Sequence, residues 1–148
     1  MKMNLKIIGL IHTPFQETEK VPIQSSRSEA TGVVEIFPEY LEGLDGVDEF
    51  SHLILMYIFH KVPEHTPLKV KPFLDDREHG VFATRYPMRP NPIGLSIVRF
   101  VCRKENAIEI SGADMLDGTP LLDIKPYVPD FDIHTASKIG WYANRAYS

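Results

Sequence analysis

The residues best able to do chemistry lie in one stiff, charged segment. Residues 80–96 read GVFATRYPMRPNPIGLS, with three prolines, two arginines and a glycine near each end. Proline fixes φ near about −65° and biases the residue before it toward extended geometry. We therefore expect Tyr86, Arg89 and Asn91 to be held in defined directions. A guanidinium held in this way pairs bidentately with a carboxylate or a phosphate, so Arg85 or Arg89 is a candidate anion-binding residue.

Polar residues also lie at the ends of other predicted strands. His60 and Lys61 follow the apolar run LILMYIF, and the turn formed by residues 117–120 (Asp-Gly-Thr-Pro) precedes another short apolar run. In a small barrel, strand ends can meet at one rim and form a pocket. The sequence therefore predicts a polar pocket at one end of the fold.

Each of these features also has a purely structural explanation. Arg85 and Arg89 could pair with the six acidic residues between positions 31 and 60, and most Asp-Gly dipeptides are only turns. His52 and His60, at the ends of an apolar strand, could equally be structural histidines. The acidic cluster is typical of a solvated face; it consists of Glu39, Glu42, Asp45, Asp48 and Glu49.

Several familiar sites are absent from the sequence. There is no GxGxxG, GxxxxGK[ST] or GxSxG, which argues against a Rossmann-type cofactor site, a P-loop and a nucleophilic serine elbow. The six histidines lack HxH or HExxH spacing and no CxxC is present, so we expect no metal site. The single cysteine, Cys102, excludes an internal disulfide and is interpreted as a small buried hydrophobe in a protein of a reducing compartment.

Two segments resemble the paired signature of the TsaA-like proteins. They are GVFATRYPMRPNPIGLS and, at residues 117–132, DGTPLLDIKPYVPDFD, with thinner similarity from about residue 7 to residue 132. Characterised members are the TrmO-type tRNA methyltransferases. The resemblance implies an enzyme that uses S-adenosyl-L-methionine to methylate N6 of the threonylcarbamoyl-modified adenosine 37, in the anticodon loop of tRNA.

The resemblance also implies which residues bind the cofactor. In the family they come from a Pro-x-Gln loop, a His-x pair closing the central strand, the ATR and RPNPIG motifs, and the DGTP turn. The matching residues here are Pro22, Ile23, Gln24, His60, Lys61, Arg85, Arg89, Leu95, Asp117, Gly118, Thr119 and Pro120. Ile23 departs from the family, whose members often have arginine there. The catalytic base is not identified, although Asp117 and Asp123 are chemically able to accept a proton.

The elements that must position these residues are short strands joined by tight turns. This pattern predicts an all-β fold, a small antiparallel β-barrel with short helical segments, in a single domain of residues 1–148. Strands are predicted at 5–12, 32–37, 53–59, 68–71, 81–84, 93–102, 107–115 and 121–124. One helical turn is predicted at 38–44, a hairpin turn at 103–106, and a short C-terminal helix carrying Trp141, Tyr142 and Tyr147. Pro92 and Gly94 are expected to hold the loop before the sixth strand, Gly94 with a φ that alanine disfavours.

The charges are distributed unevenly along the chain. The net charge is −4, yet residues 77–104 hold six Lys and Arg residues against the single acid Glu78. One end of the fold is therefore expected to attract phosphate. The longer bacterial members of the family carry a C-terminal domain, and the enzymes of the family are homodimers. The resemblance therefore implies a homodimer, in which a twofold axis places two copies of the basic stretch 77–104 on one assembly. Tyr86 and Arg85 are the nearest candidates to stack on a splayed base.

No apolar run approaches the roughly 20 residues of a membrane span, and no signal peptide opens the sequence, so we expect a cytoplasmic protein without a membrane segment. Two rival functions stay open. One is a non-catalytic module that binds an adenosine-containing ligand or RNA. The other is a methyltransferase of the same build with a small-molecule or different RNA substrate.

Overall fold

The computed structural model describes residues 1–17, 20–23 and 28–144. Two compact units are present. The barrel unit comprises Met1–His60 and Ile93–Tyr127, and the second unit comprises Lys61–Pro92 and the described part of Val128–Ser148. The single domain predicted from the sequence stays a prediction. Gln24 and Tyr147 lie outside the described residues.

The regular elements are short and mostly extended. The strands are β1 (Gly9–His12), β2 (Thr31–Ile36), β3 (His52–Ile58), β4 (Lys69–Val70), β5 (His79–Gly80), β6 (Ile93–Lys104), β7 (Ala107–Ser111) and β8 (Thr119–Pro126). The α-helix α1 spans Pro129–Asp132, and 3₁₀ helices span Pro38–Leu44, Val47–Glu49, Val81–Ala83 and Gly140–Asn144. No helix of the described ranges has the length and apolar composition needed to cross a membrane.

Six strands of the barrel unit close into an antiparallel barrel with the order β1-β2-β7-β6-β3-β8. The strand β1 completes the circle, because Ile11 lies opposite Val34 of β2 on one side and Thr119 of β8 on the other. The predicted all-β antiparallel barrel is confirmed. Closure leaves no strand of the barrel with an unpaired edge along its whole length.

Alternating side chains fill the barrel interior. Along β3, Leu53, Leu55 and Tyr57 are buried, whereas the residues between them are half-buried on the outer face. This is the period of two that a pleated strand imposes. Across the ladder, Val98 and Ser96 of β6 are also buried, so the two strands share one interior face. The core of the unit further contains Ile11, Val34, Ile36, Leu44, Ile108, Ile110, Ala113, Met115 and Leu121.

Strand direction defines two ends of the barrel. Neighbouring strands run antiparallel, so β1, β3 and β7 end where β2, β6 and β8 begin. We call this end the motif rim. The connections 13–30 and 112–118 lie there, and the chain leaves the barrel there after His60 and returns at Ile93. The connection 37–51 and the β6–β7 hairpin lie at the opposite rim.

Three sequence predictions need correction. The strand predicted at 81–84 is wrong: residues 81–83 form a 3₁₀ helix, stabilised by the amide and hydroxyl of Thr84, which both donate to the carbonyl of Val81. The first strand begins at Gly9 rather than at residue 5. β7 ends at Ser111, because Gly112 has a φ of 96° that turns the chain away from the ladder.

The basic stretch 77–104 is divided between the two units. Its first three arginines belong to the second unit, and its last two bases, Arg103 and Lys104, lie at the end of β6 on the opposite rim. Arg103 donates there to the carbonyl oxygens of Glu105 and Leu44, at 2.8 and 3.2 Å. The expectation that one end of the fold attracts phosphate stays a prediction.

The second unit contains the pair β4–β5 and the C-terminal segment. Val70 and Val81 are buried, and the amide of Val81 donates to the carbonyl of Leu68. The indole of Trp141 stacks on His79 with ring centroids 5.2 Å apart, and its Nε1 donates to the carbonyl of Ala83 at 2.8 Å. These contacts attach the C-terminal 3₁₀ helix to the segment between β3 and β6.

Gly94, in the second position of β6, lies against the ring of Tyr57. A Cβ built there would overlap ring carbons of Tyr57 and would lie 2.9 Å from Cζ of Phe59. Gly94 is not among the glycines with positive φ, so the expected reason for its presence is wrong. Glycine is required here by the close approach of an aromatic ring.

We expect Gly94→Ala to lower the free energy of unfolding by about 1–3 kcal/mol, since the added methyl group overpacks the Tyr57 site. Urea denaturation of the purified protein measures this loss. Gly43→Ala is the matched control, because nothing lies within 4 Å of a Cβ at Gly43. Equal midpoints for the two variants would contradict this account of Gly94.

Candidate functional site

The Asp117-Gly118 turn joins two connections of the motif rim. Gly118 has a φ of 78°, which glycine adopts without strain. The amide of Asp117 donates to the carbonyl of Phe15 at 2.8 Å, and the amide of Gly118 donates to that of Ile11 at 2.9 Å. The turn and the start of the 13–30 connection therefore form one hydrogen-bonded structure.

The carboxylate of Asp117 holds the same two segments together. Oδ1 accepts from the amide of Thr13 at 3.0 Å, and Oδ2 accepts from the side-chain amide of Gln16 at 3.3 Å. The bond from Thr13 is the main cause that lowers the pKa of Asp117 below its ordinary value. Both oxygens already accept bonds from the protein, so Asp117 is a poor proton acceptor and acts as a structural residue of the turn.

His12 was not considered in the sequence analysis, yet it lies at the motif rim. Its Nε2 is 2.8 Å from Oε1 of Glu35, and its Nδ1 is 3.8 Å from Oδ1 of Asp117. The imidazole therefore lies between two carboxylates, beside a shallow cavity of about 230 Å³. Its only sequence signal is the position of a histidine at the end of the first apolar run.

A buried chain of polar groups connects the two sequence motifs. The hydroxyl of Tyr57 hydrogen-bonds that of Ser96 at 2.7 Å, and the Ser96 hydroxyl donates to Oδ1 of Asp114 at 2.5 Å. All three residues are buried. Burial, and next the charge of Asp114, raises the pKa of the Tyr57 phenol. The chain links the GLS end of the first motif to the residues before DGTP.

Neither Tyr57 nor Asp114 was selected from the sequence. Tyr57 lies inside an apolar run, and the segment SGADML around Asp114 is typical of an exposed loop. A charged residue among buried neighbours is a usable signal, since unpaired carboxylates are rarely buried. Only the structure shows that its partner is Ser96.

The barrel unit brings most of the predicted cofactor residues to segments that start at the motif rim. Asp117, Gly118 and Pro120 are half-buried there, and the side chain of Thr119 is buried and donates to the carbonyl of Leu116. Pro22 is half-buried in the 13–30 connection, Ile23 is 42% exposed beside it, and His60 is exposed after β3. Leu95, the third residue of β6, faces outward with 47% of its surface exposed.

The other predicted residues belong to the second unit. Lys61 and Arg85 are exposed and Arg89 is half-buried. Nη1 of Arg89 donates to the carbonyl oxygens of Thr84 and Tyr86, at 2.8 and 3.2 Å. Arg89 therefore stabilises the backbone of its own loop. Whether any of the predicted residues binds a cofactor stays a prediction.

The second candidate proton acceptor, Asp123, lies away from the motif rim. Its Oδ1 accepts from the amide of Ile124, and its Oδ2 is 3.1 Å from Nζ of Lys125. It lines a cavity of about 430 Å³ together with Tyr40 and Phe50 of the opposite rim. Asp45 and Glu49, two members of the acidic cluster, border the same cavity.

Cys102 is half-buried rather than buried, and its thiol lies 3.3 Å from Oε2 of Glu109. Within the described ranges, no three His, Cys, Asp or Glu residues are grouped as metal ligands would be.

Comparisons with known proteins give a consistent result. The family described as the tRNA-methyltransferase O N-terminal domain matches residues 10–133. A Pyrococcus abyssi protein named as a probable S-adenosyl-L-methionine-binding protein is 56% identical over 135 residues, which cover 90% of this chain and 73% of that protein. The mouse tRNA (adenine(37)-N6)-methyltransferase is 45% identical over 100 residues, which cover 66% of this chain and 23% of that enzyme.

Solved structures agree. A crystal structure of TrmO superposes with a TM-score of 0.80 at 39% identity, covering 95% of this chain and 64% of that one. A crystal structure of TrmO from Pseudomonas aeruginosa superposes with a TM-score of 0.79 at 36% identity, and the match covers 95% of this chain and 63% of that one. This chain therefore spans just under two thirds of the solved TrmO chains.

We expect Asp117→Asn to destabilise the protein near neutral pH and not in acid. A folded-state pKa below the ordinary value of 3.8 means that the carboxylate contributes stability above that pH. The contribution is lost as the pH falls through the folded-state pKa. Urea midpoints of the wild type and the variant, measured from about pH 7 to about pH 2.5, should converge in acid. Asp48→Asn, at an exposed carboxylate of the opposite rim, is the control. If the difference in urea midpoint between Asp117→Asn and the wild type stays equally large in acid, the structural role given to the Asp117 carboxylate is wrong.

The buried polar chain predicts a graded and coupled loss of stability. Tyr57→Phe removes one hydroxyl and should cost about 0.5–1.5 kcal/mol, whereas Asp114→Ala leaves the buried Ser96 hydroxyl without its acceptor and should cost about 1.5–3 kcal/mol. Because both bonds share Ser96, the double variant should cost less than the sum of the two. Chemical denaturation of the four proteins measures the coupling, and additive losses would show that the two bonds are independent.

Proposed function

Because the chain belongs to the family of tRNA-methyltransferase O N-terminal domains, we propose that it is an S-adenosylmethionine-dependent methyltransferase acting on N6 of an adenine in tRNA. More specifically, we propose the threonylcarbamoyl-modified adenosine 37 of the anticodon loop as its substrate. One observation carries the proposal: the barrel segments that contain Pro22 and Ile23, His60, and Asp117 to Pro120 all begin or end at the motif rim.

The residues of this rim are chemically suited to the cofactor. S-adenosylmethionine combines a carboxylate, an ammonium, a ribose and an adenine, which need polar donors and acceptors beside apolar surface. His60 is an exposed polar side chain after β3, and Ile23 and Leu95 are exposed apolar side chains. Bound there, the cofactor would supply a methyl group activated by a positively charged sulfur.

The protein itself contributes hydrogen bonds that fix the segments of the motif rim in position. The carboxylate of Asp117 accepts hydrogen bonds from Thr13 and Gln16 and so fixes the turn to the 13–30 connection. In the barrel interior, the carboxylate of Asp114 accepts a hydrogen bond from Ser96. Alignment of bound reactants is a large part of the rate that such an enzyme can supply. Asp117 is bonded to the protein and Asp123 lies toward the opposite rim, so we assign the proton-accepting role to neither.

The tRNA contact is proposed for the second unit. Its 61–92 segment carries six Lys and Arg residues against four acids, whereas residues 31–60 of the barrel unit carry six acids and no base. Phosphate contacts release counterions, so RNA affinity should fall with salt by roughly 0.7 to 0.9 log units per log unit of salt for each contact. A role in tRNA modification also agrees with the cytoplasmic location expected from the sequence.

We also propose that the protein is a homodimer. Leu95, Ile97 and Val101 are 47, 38 and 42% exposed along the outer face of β6, beside half-buried Met56 and Ile54 of β3. Arg99 is exposed on the same outer face between Ile97 and Val101, so the continuous apolar part consists of Leu95 and Ile97 with Met56 and Ile54. This part is the proposed twofold contact. Light scattering of the wild type and of an Ile97→Glu variant tests the proposal, and a monomeric wild type would contradict it.

A non-catalytic binding module is the second candidate. It is favoured by the Pyrococcus abyssi relative, whose name refers to S-adenosyl-L-methionine binding rather than to methyl transfer. Both candidates bind the cofactor, and only the enzyme transfers its methyl group to RNA.

We expect the wild-type protein to bind S-adenosylmethionine with a Kd in the micromolar range, about 7–8 kcal/mol of binding free energy, and to transfer labelled methyl to bulk tRNA. Arg85→Ala should lower transfer about tenfold without changing the melting temperature, because Arg85 is exposed and carries a charge able to pair with an anionic group. Lys104→Ala removes one positive charge from an exposed position at the opposite rim and is the control.

Cofactor binding without any transfer to tRNA would favour the binding module. No binding at a millimolar concentration of the cofactor would exclude both candidates. Equal losses of transfer in the Arg85 and Lys104 variants would show that only net charge matters.

A further inference from the structure

The second unit carries an aromatic pair formed by the exposed Phe73 and the half-buried Tyr86. The two rings lie with centroids 5.3 Å apart and planes inclined by 33°. Phe73 lies in the turn after Pro72, where the amide of Asp75 donates to the carbonyl of Pro72, and 63% of its surface is exposed. A phenylalanine at the tip of a turn, packed on one side by a ring and open on the other, has the form of a stacking surface.

The backbone that supports the pair is held firmly. The amide of Tyr86 donates to Oγ1 of Thr84 at 3.2 Å, and the carbonyl of Tyr86 accepts from the guanidinium of Arg89. Pro87 follows directly and restricts Tyr86 further. On the other loop, the carboxylate of Asp75 is 2.6 Å from Nε2 of His79, which anchors the end of the Phe73 turn to β5. The rings are therefore presented by ordered loops.

The charge around Tyr86 favours a negatively charged partner. Residues 80–92 contain Arg85 and Arg89 and no acid, and Lys69 and Lys71 flank the Phe73 turn on its N-terminal side. On its C-terminal side, Asp75 is paired with His79 and Asp76 is exposed, so the bases of residues 61–92 outnumber the acids by six to four. Arg85, Lys69 and Lys71 are all exposed. Exposed rings beside bases are the combination that single-stranded nucleic acid recognises, because bases stack on the rings while phosphates pair with the cations.

We propose that Phe73 and Tyr86 form a stacking platform for an unpaired nucleobase of the RNA substrate. The inference rests on the proposed function for the identity of that RNA as tRNA. Tyr86 was considered from the sequence as a possible platform, and the structure adds Phe73 as the more exposed ring. The platform binds a base that is already splayed from its neighbours, so it selects loops over duplex.

The test compares Phe73→Leu with Phe82→Leu. Phe82 is also an exposed phenylalanine of the second unit, with 78% of its surface open, and no ring contact is found for it among the described residues. Phe73→Trp restores an aromatic face. The readouts are the Kd of each full-length protein for a labelled RNA hairpin with an adenine-containing loop, the Kd for a matched RNA duplex, and the Kd for S-adenosylmethionine.

We expect Phe73→Leu to bind the hairpin about tenfold more weakly, which corresponds to about 1.4 kcal/mol of stacking. Its affinity for the duplex and for the cofactor should not change, Phe82→Leu should match the wild type, and Phe73→Trp should recover most of the loss. In a methyl-transfer assay the KM for tRNA should rise while kcat is nearly kept. The emission of Trp141, the single tryptophan, reports whether the second unit of each variant is folded.

Two outcomes would overturn the platform. One is equal hairpin affinity for Phe73→Leu and Phe82→Leu with unchanged Trp141 emission. The other is a change of oligomeric state in Phe73→Leu without a change in RNA affinity, which would make the pair a protein contact. Failure of the proposed function has a different signature, since a wild type that transfers no methyl group could still bind hairpin RNA through Phe73.

Discussion

Closure of the barrel by β1 is the constraint on which the rest of the structure depends. This strand has four residues, yet it pairs with β2 on one side and with β8 on the other. Its first residue, Gly9, approaches the backbone of Glu35 so closely that any Cβ would overlap the carbonyl oxygen. A side chain at this position would push β1 from β2 and open the sheet, leaving two unpaired edges.

A closed antiparallel barrel has two rims, and closure decides which connections share one. Here the 13–30 connection and the Asp117-Gly118 turn lie together because β1 and β8 are neighbours, although they are about a hundred residues apart in sequence. The bonds from Thr13 and Gln16 to Asp117 are a direct consequence of that pairing. The rim is thus organised by long-range strand pairing, with local turn chemistry adding to it.

Pairing of β3 with β6 connects the first sequence motif to the residues just before the second. Gly94 allows the ring of Tyr57 to cross the interior, and the phenol of Tyr57 then reaches Ser96, which donates to Asp114. Three polar groups are buried, and each has a partner, so the barrel avoids the cost of unsatisfied donors. The first motif contributes a glycine and a serine to this arrangement, and the residues just before the second contribute the carboxylate. In the second unit, Arg89 performs a comparable role by binding the carbonyl oxygens of its own loop.

The sequence by itself determined the fold class, the approximate position of most strands, and the family, because apolar alternation, turn residues and two long motifs are local signals. It determined less well where strands stop: residues 81–83 are extended by composition but helical in the structure, since Thr84 bonds back to Val81. Only the tertiary structure decided the roles of individual polar residues. Asp117 and Asp123 were both candidate proton acceptors, but the carboxylate of Asp117 accepts from Thr13, and Asp123 lies in the middle of β8 and lines the cavity of the opposite rim. Likewise, Asp114 and Phe73 went unnoticed, because a carboxylate or a ring acquires its role from partners distant in sequence, and those partners are set by strand pairing and loop packing.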